Sequence, residues 1–362
     1  MGSSPFFSII RKEKKICYDP ENIKQNKSKI GKIYSQPGPI LYYGNDYNIN
    51  YINTFNTFKS INNIFYLIYS DKQNSIIIFN LINNQQLNEI KKAHQDFITN
   101  FRNYIDEGNH KELLMSISEK SNNIKIWNIQ NLELIHNFEN INEIGSLYSA
   151  CFLHNINNNQ IYIVTSNNTN KCPNYIQIFN LKGEKLKDIN DSDDNTFFID
   201  TYYDNSLNKT FIITGNYCYV KSYDYDNNKL YLEYKDKSNC FSDHNNLIIN
   251  KKDDIIRLIE SSTAGYIRIW NFHNKNLPRK IKSDGGISSL CLWNDRYIFV
   301  GCLNRRIRLL EIETQSFLKN INCLSAPYSN IIAIKKINHP KYGECLIYQE
   351  NNQIKYLLNK EI

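Results

Sequence analysis

Short apolar stretches alternate with short polar stretches along almost the whole chain. Residues 113–130 show the pattern well: LLMSIS is followed by the polar EKSNN and then by IKIWN, in which apolar positions alternate. Runs of this length, separated by residues that favour turns, are typical of β-strands. No apolar run approaches the roughly 18 residues that a membrane-spanning helix needs. The pattern therefore predicts an all-β fold.

One strand–turn–strand unit repeats seven times. The first five copies carry an aromatic residue after a mostly apolar–x–apolar run, and two degenerate copies carry leucine there. In residues 246–282 four strands are predicted at 246–250, 255–260, 266–271 and 278–282. The aromatic position recurs every 40 to 52 residues. One four-stranded propeller blade needs about 40–45 residues, so we predict seven blades with some longer loops. The repeat positions are Phe79, Trp127, Phe179, Tyr223, Trp270, Leu310 and Leu357.

These repeats resemble the WD40-repeat family over roughly residues 38–362. Trp127-Asn128 and Trp270-Asn271 occupy the family's Trp-Asp position, and His94 precedes Trp127 by 33 residues, which matches its Gly-His to Trp-Asp spacing. The resemblance implies a structural hydrogen-bond network of a His, a strand Ser or Thr, a turn Asp and the Trp. The Asp is missing from both of the sets that we expect, so the blades should rely more on packing. These two sets are His94, Ser118 and Trp127, and His244, Ser262 and Trp270.

The seventh repeat is short of one strand, because the chain ends at Ile362 soon after the strand predicted at 353–358. An open ring would leave sheet edges unpaired. By analogy with WD40 rings, we predict that residues 38–46 supply the missing strand. The predicted domains are then a basic N-terminal arm, 1–37, expected to be partly disordered, and a seven-bladed WD40-like β-propeller, 38–362.

The charge is distributed unevenly between these two parts. The net charge is +7, and residues 1–33 carry eight basic against three acidic residues, so the body is nearly neutral. A neutral body argues against nucleic-acid binding through the ring. For Lys12, Lys14 and Lys15 of the arm two interpretations stay open: contact with an acidic partner, or a solvated lead-in without a partner.

The nine cysteines are odd in number, scattered, and contain no C-x-x-C motif. Such a set fits reduced thiols in an intracellular compartment. We expect a cytoplasmic protein, and a nuclear location stays an alternative. Several cysteines lie inside predicted strands, where a thiol packs as a small core residue. These are Cys151, Cys218, Cys291, Cys302 and Cys345.

Motifs for catalysis are missing from the sequence. It contains no G-x-S-x-G, no G-x-x-x-x-G-K-[ST] and no dinucleotide fingerprint after a strand, and no metal-ligand spacing surrounds His94. We expect no catalysis, no cofactor and no metal. Because some propellers are enzymes, a catalytic role stays a third possibility.

The function predicted from these observations is a non-catalytic scaffold that holds partner proteins within a larger intracellular assembly. The alternative is a membrane-recruitment module that binds anionic phosphoinositide-type lipid through the arm or the Arg305/Arg306 rim. A further interpretation is that these arginines are ordinary edge-strand charges, which discourage pairing between the sheets of different molecules. The WD40 resemblance implies binding on the face that carries residues 94–97, 119–123 and 303–306. The candidate partner-binding residues on the body are Arg305, Arg306, Arg308, Arg279 and Lys280.

Overall fold

Seven antiparallel sheets of four strands each make up the fold. The computed structural model describes residues 41–43, 54–83, 85–139, 146–168, 174–192, 196–216, 219–236, 244–274, 279–322, 331–339, 343–350 and 353–359. These residues contain 28 β-strands and no helix. The predicted all-β, seven-bladed propeller is therefore confirmed.

The strands follow the chain blade by blade. After β1 (Leu41–Tyr43), blade 1 contains β2 (Phe55–Lys59), β3 (Phe65–Ser70), β4 (Ile76–Asn80) and β5 (Gln85–Ile90). Blade 2 contains β6 (Asn100–Asp106), β7 (Lys111–Ser118), β8 (Asn123–Asn128) and β9 (Glu133–Phe138). Blade 3 contains β10 (Ser146–Asn155), β11 (Gln160–Asn168), β12 (Asn174–Asn180) and β13 (Lys185–Ser192).

The remaining blades repeat this order. Blade 4 contains β14 (Phe198–Asp204), β15 (Lys209–Gly215), β16 (Tyr219–Asp224) and β17 (Lys229–Lys235). Blade 5 contains β18 (His244–Lys252), β19 (Ile255–Ser262), β20 (Tyr266–Asn271) and β21 (Arg279–Lys282). Blade 6 contains β22 (Ile287–Leu292), β23 (Tyr297–Cys302), β24 (Arg306–Glu311) and β25 (Ser316–Asn322), and blade 7 contains β26 (Ile331–His339), β27 (Gly343–Glu350) and β28 (Gln353–Asn359).

The first strand of each blade lies at the centre of the ring. β2, β6, β10, β14, β18, β22 and β26 contact one another in that order, and β26 also contacts β2. The core consists of seven apolar clusters, each between two successive blades. Trp127 of blade 2, for example, packs with Ile68 and Ile78 of blade 1. Since a single blade cannot bury both faces, its stability depends on its neighbours.

The ring closes through β1. This strand pairs antiparallel with β28, Leu41 opposite Asn359 and Tyr43 opposite Leu357, and so completes blade 7. The predicted closing strand is thus confirmed, and residues 41–43 are the part of 38–46 that the structure describes. The division into an arm, 1–37, and a propeller stays a prediction, because residues 1–40 lie outside the described residues.

A β-bulge recurs beside the repeat position. The pairing of the third with the fourth strand shifts register just before Phe79, Trp127, Phe179, Tyr223 and Leu310. A bulge increases the local twist of a sheet. Its recurrence in five blades shows that these five residues occupy equivalent positions.

Asparagine and glycine supply the turn conformations that the hairpins need. Asn122 and Gly265 both have positive φ, 48° and 81°, and the same conformation occurs at Asn74, Asn159 and Asn208. Asparagine tolerates this left-handed region better than most residues. Among the described residues, six asparagines therefore serve turns in this way.

Cys151, Cys291, Cys302 and Cys345 are free and buried in strands, which confirms the prediction that these thiols pack as core residues. Burial raises the pKa of Cys291 to about 11, so its thiol stays protonated. Cys218 lies outside the described residues.

Candidate functional site

Three buried side chains of blade 2 and the preceding loop form one hydrogen-bonded network. His94 Nε2 lies 2.7 Å from Ser116 Oγ, and Trp127 Nε1 donates to the same oxygen at 2.8 Å. The serine of the network is therefore Ser116, and the prediction of Ser118 was wrong by two residues. Register explains the difference: Trp127 pairs with Leu114, Ser116 is the next residue on that face, and Ser118 lies two pairs beyond Ser116.

The network holds His94 neutral. Burial, with a further contribution from the charge of Lys125, lowers the pKa of His94 from 6.5 to about 3. The Trp127 indole can only donate, so the Ser116 oxygen accepts from it and shares a second hydrogen bond with His94 Nε2. Neutral, buried and hydrogen-bonded, His94 ties the loop to the blade rather than acting as a base.

In blade 5 the equivalent place holds ion pairs. Glu260 pairs with Arg268 across the sheet, as Ser116 pairs with Lys125. His244 Nδ1 lies 3.1 Å from Glu260 Oε2, and Arg268 Nη1 lies 3.1 Å from Glu260 Oε1. The predicted set of His244, Ser262 and Trp270 is therefore corrected: Glu260 contacts His244, for the same reason of register.

The network of blade 5 extends to two further charges. Arg268 Nε lies 2.9 Å from Asp236 Oδ2, and Lys280 Nζ lies 2.7 Å from the same oxygen. Burial alone would raise the pKa of Glu260, but His244 and Arg268 outweigh it, and this pKa lies below its ordinary value. Likewise, burial opposes the charge of Arg268, yet its two acidic partners raise its pKa. Glu260 and Arg268 therefore stay ionised, and the network joins blades 4 and 5.

Three other repeat positions hold aromatic side chains that pack between blades. Phe79, Phe179 and Tyr223 are all buried, each in a cluster between two blades. An aromatic ring at this place fills the wedge between neighbouring sheets.

The predicted basic rim has internal partners. Arg306 Nη1 pairs with Asp284 Oδ2, and Arg308 Nη1 lies 3.0 Å from Asp284 Oδ1. The Arg308 guanidinium also stacks 3.6 Å from the centre of the Phe317 ring. Asp284 belongs to the connection between blades 5 and 6, which folds onto the β23–β24 hairpin. These two arginines thus stabilise a loop contact, which weakens the case for a lipid-binding rim.

Of the remaining basic candidates, Arg305 lies next to Arg306 and two others lie on β21. Arg305 has positive φ, 66°, in the hairpin, and Arg279 is exposed at the start of β21. Lys280 belongs to the ion network of blade 5. Lys12, Lys14 and Lys15 lie outside the described residues.

Two of the predicted partner-binding loops meet at a small cleft. Its volume is about 160 Å³. At its edge Lys120 Nζ lies 3.0 Å from Asp96 Oδ1, and Phe97 is 53% exposed. Such a cleft can hold a single side chain of a partner. The residues that line it are His94, Gln95, Ser121, Asn123, Lys125 and Glu139.

The opposite end of the ring exposes apolar side chains that the sequence did not single out. Ile156 (43% exposed), Leu207 (44%) and Ile255 (47%) all lie at the turn between first and second strands, in blades 3, 4 and 5. Each follows or precedes a polar turn residue, so periodicity gave no reason to choose them. The turns between first and second strands place all three at the same end of the ring.

Within the described residues, no three His, Cys, Asp or Glu side chains are grouped as a metal site would require. Across the same residues, no helix is long and apolar enough to cross a membrane.

Comparison with known proteins identifies the fold and no family. No family model matches the sequence, and no curated protein matches it. Among 1518 solved chains with a matching structure is Raptor of Chaetomium thermophilum, with a TM-score of 0.67 and 14% sequence identity over 89% of this chain. The match spans 30% of the Raptor chain. At this identity the likeness shows a shared seven-bladed propeller, and WD40 membership rests on the sequence resemblance alone.

Proposed function

We propose that this protein is a non-catalytic scaffold that binds partner proteins through one end of its propeller. The observation that carries the proposal is the row of Ile156, Leu207 and Ile255 at equivalent turns of three consecutive blades. Several large apolar side chains that stay exposed at one end of a protein are typical of an interaction site. Propellers commonly serve such a role, which agrees with this site.

The turn that presents Leu207 is held firmly. Asp204 Oδ1 accepts hydrogen bonds from Ser206 N at 2.8 Å and Ser206 Oγ at 2.6 Å, and Asp204 Oδ2 lies 3.0 Å from His273 Nε2 of blade 5. The His273 ring also contacts the Tyr231 hydroxyl through Nδ1 at 3.1 Å. A turn fixed in this way loses little conformational entropy when a partner binds. The partner is expected to offer a complementary apolar surface.

The WD40 resemblance implies binding at the other end. That end exposes Phe97, Leu303 and Ile332, which occupy three different positions of their blades. Its cleft is polar and small. We therefore favour the end with the three equivalent apolar turns, and the experiment compares the two ends directly.

The test uses chemical crosslinking and mass spectrometry on the tagged protein in cells. Ile156→Ser/Leu207→Ser/Ile255→Ser should remove most of the partners captured by the unaltered protein. A matched control, Leu87→Ser/Leu186→Ser/Leu230→Ser, changes three exposed leucines of outer strands and should keep them. Phe97→Ser/Leu303→Ser tests the opposite end. Loss of partners with this last variant, and not with the first, would overturn the assignment of the face.

A further inference from the structure

A second cleft lies between blades 1 and 2, at the end of the ring that carries the turns between first and second strands. Its volume is about 180 Å³. Tyr66, Ile78, Leu87 and Ile129 supply mainly apolar surface, and Glu112 supplies a carboxylate. The other side chains that line the cleft are carboxamides of asparagine or glutamine. The cleft thus combines apolar walls with one negative charge.

The Glu112 carboxylate has only part of its bonding capacity filled. The residue is 2% exposed, and its Oε1 accepts a hydrogen bond from Ile61 N at 2.8 Å. Its Oε2 makes no hydrogen bond with any described residue, yet it is not one of the unpartnered atoms that are sealed from the surface. In the described part of the chain, no lysine, arginine or histidine forms an ion pair with Glu112. One carboxylate oxygen is therefore left to face the cleft.

The fold does not require a carboxylate at this place. Glu112 lies two residues before Leu114, which pairs with the repeat position Trp127. The same register in blades 1, 3 and 5 gives Phe65, Ile161 and Ile256. A buried charge without an opposite charge costs stability. Groups that carry such a cost are common at binding sites.

We propose that this cleft binds a lysine side chain of a partner protein. The ammonium group pairs with Glu112 Oε2, and the alkyl stem packs against Ile78 and Ile129. Lysine suits the cleft better than arginine does. A guanidinium prefers to engage both carboxylate oxygens at once, and Ile61 N already occupies Oε1, whereas a compact ammonium needs a single oxygen.

The cleft lies at the same end of the ring as Ile156, Leu207 and Ile255 but shares no residue with these apolar turns. That the lysine belongs to a partner protein rests on the proposed scaffold role, whereas the binding of an alkylammonium group by the cleft does not. The two proposals can fail separately, because a short peptide tests the cleft alone and the crosslinking experiment tests the apolar turns.

The first test measures binding of N-acetyl-Gly-Lys-Gly-amide to the full-length protein by saturation-transfer difference NMR. We expect saturable transfer to the lysine side-chain protons. Glu112→Gln should weaken binding at least about tenfold, because the charge is lost while the amide oxygen still accepts from Ile61 N. Glu107→Gln removes the same charge from an exposed position of blade 2 and should leave binding unchanged. No saturable binding, or equal binding by Glu112→Gln, overturns the site.

Other peptides separate the contribution of the charge from that of the stem. The norleucine counterpart keeps the stem without the ammonium group and should not bind, and the arginine counterpart should bind more weakly than the lysine peptide. Equal binding of the norleucine peptide would overturn the role of the carboxylate, and equal or tighter binding of the arginine peptide would overturn the choice of lysine. Leu87→Ser leaves Glu112 in place and should keep binding; loss of binding in this variant, and not in Glu112→Gln, would also overturn the role of the carboxylate.

The melting temperature without peptide distinguishes a binding role of Glu112 from a structural one. Glu112→Gln removes an unpaired buried charge and keeps an acceptor for Ile61 N, so the variant should melt at the same temperature as the unaltered protein or higher. A lower melting temperature would assign the charge of Glu112 to the stability of the ring and overturn the proposal.

Discussion

Glu260 and Arg268 face each other across β19 and β20, with Oε1 and Nη1 3.1 Å apart and both side chains buried. Ser116 and Lys125 hold the equivalent places in blade 2. The same framework therefore accepts a hydroxyl network in one blade and an ion network in another. In both cases the polar groups connect a blade to the loop that precedes it.

Arg268→Met should destabilise the protein strongly. The variant leaves Glu260 buried with His244 as a remaining partner and removes a cation from Asp236. Breaking a buried ion pair on one side costs about 3–5 kcal/mol. Urea unfolding should show a loss of this size. The double variant Glu260→Leu/Arg268→Met removes both charges and should recover part of the loss, and a single variant as stable as the unaltered protein would contradict the role of the pair.

Ser116→Ala should cost more than Ser118→Ala. The first change leaves His94 Nε2 and Trp127 Nε1 buried without a partner, and each such group costs about 1–3 kcal/mol. Ser118 Oγ accepts only the hydroxyl of Ser121, at 2.8 Å, which a solvent molecule can replace. Thermal unfolding of the two variants side by side measures the difference. Equal losses would show that the Ser116 network contributes nothing special.

Stability should fall as the pH falls below about 6.5. The pKa of His94 is about 3 in the folded protein and 6.5 in the unfolded protein. Between these values the unfolded state binds a proton at His94 and the folded state does not, so protonation favours unfolding. The loss should approach about 1.4 kcal/mol per pH unit and level off near pH 3. His94→Gln should lack this part of the pH dependence. The comparison is clearest between pH 6.5 and 5, above the range in which Glu260 begins to titrate.

Deleting residues 1–46 should abolish cooperative unfolding, whereas deleting residues 1–28 should leave the melting temperature nearly unchanged. The longer deletion removes β1 and leaves β28 as an open edge with unpaired backbone groups. Calorimetry of both proteins distinguishes the outcomes. A fully stable protein without residues 1–46 would refute the importance of ring closure.

The repeat was visible from sequence because packing between blades demands a large side chain at one place. Trp127 and Trp270 are easily recognised there, and Phe79, Phe179 and Tyr223 follow the same spacing. Strand ends were harder to predict. The strand predicted at 246–250 is longer in the structure, where β18 extends from His244 to Lys252. Polar residues at both of its ends continue the pairing with β19.

The polar networks were not predictable to the same degree. Ser116 and Ser118 point to the same face, and only the register of the neighbouring strand decides between them. In the sequence, Glu260 and Arg268 look like ordinary charged residues of two strands. Only the pairing of β19 with β20 shows that they contact each other. Asp284 lies 22 residues from Arg306, and no periodic pattern reports a contact of that kind between a loop and a hairpin.

The pairing of Leu41 with Asn359 holds the first and the last strand of the ring together. Residues 41 and 359 therefore lie opposite each other on blade 7. Two fluorophores placed at these sites would report the separation of β1 from β28 directly. These two strands can separate before any other hydrogen bonds of the ring need to break. Force applied to the two ends would likewise act on three residue pairs rather than on the whole fold.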